Sequence, residues 1–375
     1  MSLASALVVG NDALPQLAEE AFRDALAKTG QRQANGVLLF LTADFIRQAQ
    51  ATVTAVARAA RCTQIAGGVA AGLFTEQGWV LDRPAAAVMV FGGDLSLAPP
   101  EMPYASGETD SSTLLSCFGN SLPAEWGETP MRYGSSFSGR PGRSDWLTWQ
   151  QARVVAHSGV RLVGGRLDIA VSRGWQVLAD PQDIDETRAY DLLQVGGVKA
   201  LTSLLRHLPP ELRAADHLPL ASLGAMTFPD RQIADRAAAQ RAVVDGSAQP
   251  LAIISGNADL SLTLAERLSP GQRLVWAVRS PQTAVDDMRH SLAGLTIPEG
   301  EALGAVVFSC IGRGPYFYDG DDRDVDCLRE RFPGLPLIGT YGTGQLAPGP
   351  PGRWRRVQNA VVTALIGKTP VDDDV

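Results

Sequence analysis

One local order occurs twice in this chain, far apart, and it limits what the chain can fold into. A continuous apolar run, Val37-Leu38-Leu39-Phe40-Leu41, is followed by a helix-length segment over 42–60. Thr63-Gln64-Ile65-Ala66 then enters a glycine turn at Gly67-Gly68. In the C-terminal third the apolar run 305–308 is followed by a helical segment over 324–332, and 335–338 leads into a second glycine turn. Gly67 and Gly72 are five apart, and so are Gly339 and Gly344. Apolar runs without polar alternation read as strands buried on both faces, so each copy predicts a strand inside a sheet with a helix packed on it. The expected fold is α/β: two pseudo-repeated halves of mixed β-sheet with helices on the outer faces, the sheets stacked in α-β-β-α layers. A fainter third copy lies between. Leu114-Leu115-Ser116-Cys117-Phe118-Gly119 echoes the stretch 306–312, and Val160-Arg161-Leu162-Val163-Gly164-Gly165 echoes the glycine strand.

The remaining pattern fills in around these copies. Residues 12–28 predict an amphipathic helix capped by Asp12 with Pro15 in its first turn. Residues 85–91, 171–178 and 273–278 read as strands, and 359–366 as an apolar run of β-branched type. Residues 191–205 predict a helix starting around Gly196-Gly197. Residues 281–293 predict another, with Ala284, Met288 and Leu292 on one face. Pro209-Pro210 and Leu218-Pro219-Leu220 punctuate the passage into the second half.

Bulk properties exclude several function classes. The 375 residues are 45% hydrophobic, which supports a large core and about two domains. The formal charge of −7 comes with scattered basic residues, so no nucleic-acid surface is expected. Arg353, Arg355 and Arg356 around Trp354 read as a solvated loop. No window approaches the roughly 20 apolar residues of a membrane span, and the N-terminus lacks a secretory pattern. The four cysteines, Cys62, Cys117, Cys310 and Cys327, have no CxxC spacing, which points to a reducing cytoplasm. His157, His207, His217 and His290 form no HxxxH or HExxH pair, so no metal site is expected. The stretch 319–324 departs from a calcium loop at Arg323 and Asp324.

Chemistry concentrates in the C-terminal copy. Gly304-Ala305-Val306-Val307-Phe308-Ser309-Cys310-Ile311-Gly312-Arg313-Gly314 ends an apolar strand on a thiol and an arginine between glycines. Cys310 is either a reactive or ligand-touching sulfur, its thiolate favoured by Arg313, or a small apolar filler. Arg313 is either a fork for a carboxylate or one half of a salt bridge to the acidic loop Asp319, Asp321, Asp322. Gly339-Thr340-Tyr341-Gly342-Thr343-Gly344 offers hydroxyls and a phenol to a polar ligand, whereas Gly67 and Gly68 offer backbone. Trp175, after Gly174, is a pocket wall or a core residue. Gly134-Ser135-Ser136-Phe137-Ser138-Gly139 is not a GxSxG elbow, and 139–144 reads as a mobile loop or lid. If the chain is an enzyme, Cys310 is the expected nucleophile, with Arg313 for an anionic group.

These motifs resemble the FIST family, a bacterial ligand-sensing module of FIST N and FIST C domains. Phe308-Ser309-Cys310-Ile311-Gly312-Arg313-Gly314 matches its "FSCxGRG". Leu337-Ile338-Gly339-Thr340-Tyr341-Gly342-Thr343-Gly344-Gln345 matches its "PLxGxYxxGExxP", with Gln345 where the family usually carries Glu. Gly174-Trp175 and Gly196-Gly197-Val198-Lys199-Ala200-Leu201 resemble its central motifs. The resemblance implies a FIST N-like domain over 1–190, a FIST C-like domain over 191–367 and an acidic tail over 368–375. It implies a cytoplasmic small-ligand sensor, with amino acids among the expected ligands, that signals through a separate partner such as a histidine kinase or cyclic-dinucleotide enzyme. The implied ligand cleft lies between the halves, where Gly67, Gly68, the Cys310–Arg313–Gly314 loop and the turn Gly339, Thr340, Tyr341, Gly344, Gln345 converge. No cofactor is expected, with haem as the alternative, because one branch of the family senses nitric oxide through haem.

Overall fold

The computed structural model describes residues 1–100, 113–119, 121–127, 130–137, 147–214, 217–228, 233–349 and 352–369. The predicted 139–144 loop and the end of the acidic tail lie outside them. The chain forms two compact units, Met1–Ser172 with Met288–Val375, and Arg173–Asp287. The second unit is thus an insertion in the sequence of the first, and the 190/191 division falls inside it.

The first unit contains three six-stranded mixed sheets with one shared plan. The first sheet runs Leu3–Val9, Ala85–Phe91, Gly36–Thr42, Ile65–Ala70, Thr148–Gln150, Arg153–Val155. The second runs Ser96–Ala98, His157–Val163, Leu114–Phe118, Arg132–Ser136, Gly344–Gly349, Arg353–Val357. The third runs Gly165–Ser172, Val361–Lys368, Ala302–Cys310, Leu337–Gly342, Gly72–Thr75, Gly78–Leu81. In each, the middle two strands are parallel and the other pairings antiparallel. The expected α/β class therefore holds, but the two repeated halves with stacked layers do not: the repeat is three sheets within the first unit, because each sheet takes its edge hairpin from another copy.

The copies are tied together by exchange. The hairpin after each second parallel strand leaves its own sheet and edges another: 72–81 joins the third sheet, 344–357 the second, and 148–155 the first. Backbone bonds close the junctions, from Ala71 N–H to the Tyr341 carbonyl (3.2 Å), Thr343 N–H to Ser136 (3.0 Å) and Val69 N–H to Leu147 (2.9 Å). The glycines mark equivalent positions. Gly67 faces Leu39, Gly134 faces Ser116 and Gly339 faces Val307 across the three parallel pairs. Gly134 and Gly139 are again five apart, so the spacing occurs three times. In this register Cys117 is level with Phe308, two positions from the expected match to Cys310. Gly134, rather than the 160–165 segment, is the glycine of the third copy.

Helices cover the first sheet. Pro15–Thr29 buries Ala18, Ala21, Phe22 and Ala25, and Ala49–Ala60 buries Val53 and Val56. Both pack with Leu39, Leu41, Val88 and Trp149. The first helix begins after Leu14 rather than at an Asp12 cap, and the second is preceded by a 3₁₀ segment, Ala43–Gln48. The opposite sheet faces share a core of Phe40, Met89, Leu115, Tyr133, Phe308, Ile338 and Val362.

The second unit is an antiparallel barrel. Arg273–Val278 pairs Leu223–Thr227 on one side and Gln182–Arg188 on the other, and the pairing continues through Asp191–Val195, Leu262–Leu264 and Gln249–Gly256 until it closes. The predicted 191–205 helix is a strand, a turn and a shorter helix, Ala200–His207. Gly196 (φ 58°) and Gly197 (φ 76°) make the turn. That helix places Leu204 in the barrel core with Trp276, joined by Leu208 just past its end. The indole N–H of Trp276 donates to Ser203 Oγ (3.0 Å), which donates to Gln182 (2.6 Å).

Candidate functional site

Side chains alternate between the faces of a strand, so residues paired across a sheet at one level share a face. At the level one residue beyond the marker glycines, the first sheet presents Ala87, Phe40, Gly68 and Thr148 inward. The third presents Val362, Phe308, Thr340 and Leu73. The second presents Ser158, Cys117, Ser135 and Gln345. Phe40, Phe308 and Cys117 thus hold equivalent places, as do Thr148, Leu73 and Gln345. Phe40 packs edge-on to Phe308 and to Phe137 at 6.1 Å each, and Tyr133 meets Phe308 at 6.3 Å.

This level carries an unsatisfied polar group. Gln345 is 0% exposed, and among the described residues neither its carbonyl oxygen nor its amide nitrogen has a hydrogen-bond partner. The hydroxyl of Thr340, also 0% exposed, has none either. Ser135 Oγ reaches the Gly344 carbonyl at 3.2 Å, and Thr148 Oγ1 donates to Val155 (2.9 Å). Nearly all buried polar groups in folded proteins are bonded, and an orphan costs about 1–3 kcal/mol. Burial pushes the Cys117 thiol up to about 12 and holds the Tyr133 phenol well above its usual value, so both stay protonated at neutral pH.

The opposite face of the third sheet holds the charged groups. Arg313, 1% exposed, donates Nε and Nη2 to the Asp324 carboxylate (2.9 and 2.8 Å) and Nη2 to Ser172 Oγ (2.7 Å). Burial disfavours this cation, yet Asp324 holds its pKa above the ordinary value. Of the two readings of Arg313 the salt bridge is present, to Asp324 rather than to Asp319, Asp321 or Asp322. Tyr341 points outward, stacked near Phe74 at 4.9 Å, and donates a short hydrogen bond to Asp322. Asp322 also caps the helix Arg323–Arg331 through Val325 N–H (3.0 Å). Burial, then Asp324, raises Asp322 to about 6 despite those bonds.

The structure therefore brings most of the predicted residues into the first unit but divides them between two faces. Gly68, Thr340 and Gln345 lie on the inward level. Gly314 abuts the outward Tyr341, where a Cβ would come within 3.2 Å of the ring. Cys310 is buried, its Sγ 3.9 Å from Asn359 Oδ1. Gly67 and Gly344 line the exchange junctions. Trp175 belongs to the second unit, packed with Val177, Met226 and Val275 under Arg279, whose guanidinium lies 5.1 Å from its ring. Sequence reasoning missed Ser135 as the cross-strand neighbour of Gln345, and Cys117 and Ser158 further along the same level, though the third glycine spacing points to their strands. A separate groove of about 610 Å³ lies where Ala302–Cys310 and Leu337–Gly342 begin, among Leu303, Phe332, Pro333 and Leu335.

These features define a repeat-built α/β protein with an inserted barrel and a buried polar level. Residues 219–348 match the family model described as the FIST C domain. Over that segment the chain is similar to the FIST C domain, a domain of a sensory, small-ligand-binding signal-transduction family. It is 26% identical over 223 residues to the uncharacterized protein Mb0898c of Mycobacterium bovis, covering 57% of this chain and 55% of that protein. It is 26% identical over 264 residues to the uncharacterized protein Rv0628c of Mycobacterium tuberculosis, covering 68% and 63%. The match thus spans between half and two thirds of these relatives. Among the described residues, no helix is long and apolar enough to cross a membrane.

Proposed function

We propose that this protein is a small-ligand sensor of the FIST type whose ligand lies against the inward polar level of the second sheet, held by Gln345 and Thr340. The observation that carries this reading is the Gln345 carboxamide, fully buried with both polar atoms unpartnered among the described residues. A buried amide of this kind is stable when an occupant supplies its bonds. Arg313 is then a structural residue rather than a carboxylate clamp. Residues 1–190 act as the FIST N-like portion and 191–367 as the FIST C-like portion. Occupancy is passed in the cytoplasm to a separate signalling partner such as a histidine kinase or cyclic-dinucleotide enzyme.

Native mass spectrometry of the protein purified from its source tests the site. The expected result is a small added mass on the wild type that Gln345→Met loses. Met has similar volume and removes the orphaned atoms, so the ligand-free variant should be more stable than the ligand-free wild type by about 1 kcal/mol. A variant that is less stable, with an unchanged mass spectrum, would show that Gln345 serves the fold and holds no ligand.

A further inference from the structure

We propose that the outer face of the second sheet holds a second binding site, for the carboxylate of a small organic acid. It lies between the Arg132 guanidinium and Ser116 Oγ, in a recess over Gly159. Arg132 is 8% exposed, so its charge has been taken out of water. Nη1 donates to Ser116 Oγ (2.9 Å). Nε is buried and, among the described residues, has no acceptor. The Trp126 ring covers the guanidinium at 4.2 Å. Burial lowers the Arg132 pKa to about 10, although Glu125 acts in the opposite direction. The comparison with Arg313 is direct: that buried guanidinium has the Asp324 carboxylate across its fork, and Arg132 has none among the described residues. A buried cation without a counter-ion is costly, and a guanidinium fork fits a carboxylate through two parallel hydrogen bonds.

The surroundings favour an anion. Among the described residues, the strands put no carboxylate on this outer face, while Arg161 and Arg356 share it with Arg132. Glu125, beside Trp126, lies 3.1 Å from His157 Nε2 and forms its ion pair there. Space is present at the polar end. Gly159 is buried and paired with Ser116. An added Cβ would meet nothing nearer than Arg132 Nη1 at 3.5 Å, with Ser116 Oγ and Pro100 at 3.8 Å. Its φ is not positive, so the backbone does not require glycine at this position. The recess is thus the place of a missing side chain, walled by a guanidinium and a hydroxyl. Ser116 Oγ is 3.4 Å from the Leu114 carbonyl, a long bond whose proton can turn to an oxyanion. The site faces away from Gln345 and does not rest on the reading of that residue.

Sodium acetate, phosphate and chloride at equal ionic strength are compared by thermal melts of the full chain, with saturation transfer to the acetate methyl group as the direct readout of binding. Acetate should raise the wild-type melting temperature above its value in chloride. In Gly159→Ala the added methyl fills the recess at ordinary contact distance. That variant should melt with the wild type in chloride and bind acetate at least about tenfold more weakly. Arg132→Met should lose acetate binding and melt no lower than the wild type in chloride, because it removes an unpaired buried charge. Gln345→Met should bind acetate as the wild type does. Acetate binding that survives in Gly159→Ala, or that is lost in Gln345→Met, overturns the site. A wild type that acetate neither stabilises nor contacts, with an Arg132→Met variant that melts well below it, shows that Arg132 serves the fold alone. Phosphate binding in place of acetate overturns the carboxylate assignment.

Discussion

The first and second sheets have the same strand plan and opposite chemistry. Across its inner level the first reads Ala87, Phe40, Gly68, Thr148, and two helices cover its outer face. The second reads Ser158, Cys117, Ser135, Gln345. On the outer face of the second sheet, where the first has helices, Trp126 packs on Phe118 and Leu346 beside Trp354. What the sheets keep in common is backbone: the parallel central pair, the exchanged hairpin and a glycine where the paired strand approaches closely. The plan is therefore set by main-chain geometry. One copy could therefore give up its apolar side chains and hold a polar site while its siblings supplied the core.

The largest effects should come from the shared glycines. Gly67 (φ 147°) and Gly134 (φ 150°) adopt backbone conformations that L residues avoid. A Cβ there would lie 1.9 Å from the Leu39 carbonyl oxygen and 1.8 Å from that of Ser116. Gly67→Ala and Gly134→Ala should each cost more than about 4 kcal/mol and leave little folded protein in a thermal melt. At Gly339 the obstacle is the Phe74 ring, which would lie 2.1 Å from an added Cβ. Gly339→Ala should therefore recover when combined with Phe74→Leu, whereas no side-chain change should rescue the other two. If Gly134→Ala were tolerated while Gly67→Ala was not, the equivalence of the two sheets would fail.

The next effect sharpens the division of labour at the inner level. Phe40→Ala or Phe308→Ala removes a ring from the aromatic cluster and should cost about 3–5 kcal/mol by denaturant titration. Cys117 occupies the equivalent place in the second sheet, and Cys117→Ala should cost only about 1 kcal/mol, since it deletes one small buried group. Equal costs at the three positions would mean that the second sheet carries as much of the core as its siblings.

The sequence displayed the parts that apolar periodicity controls. The runs 37–41 and 305–308, their glycine spacings and the helix Pro281–Ala293 were legible because each buries a continuous apolar face. The third glycine strand, Arg132–Ser136, was not, because its inward Ser135 and outward Ser136 give it no hydrophobic signature. Hairpin exchange was hidden for another reason. Gly72–Thr75 pairs with Leu337–Gly342, more than 250 residues away, and no local pattern selects that partner. The barrel escaped because Gly196-Gly197 reads as a helix start, whereas two positive-φ glycines make a turn. Of the site, Gln345 and Thr340 were found through motif residues. The separation of Thr340 inward from Tyr341 outward needed the strand register.

The last predicted effect concerns the third sheet, whose outer face carries a group titrating in the acid range that the second sheet's inner level lacks. Asp322, raised to about 6 by burial and Asp324, has an unfolded-state value near 3.9. Between about pH 4 and pH 6 the folded state holds a proton there that the unfolded state has released. Its contribution to stability is present below about pH 4 and is lost as the pH rises through about 6. Asn is neutral at every pH and can still accept from Val325 N–H as a helix cap. Asp322→Asn should therefore remove on the order of 1–2 kcal/mol of pH dependence from the melting curves in that window and leave stability below pH 4 little changed. The same scan on Gln345→Met should keep the wild-type slope, because the inner polar level titrates nothing in that range. A slope that disappeared in Gln345→Met would place an ionising group beside the amide and end the contrast between the two sheets.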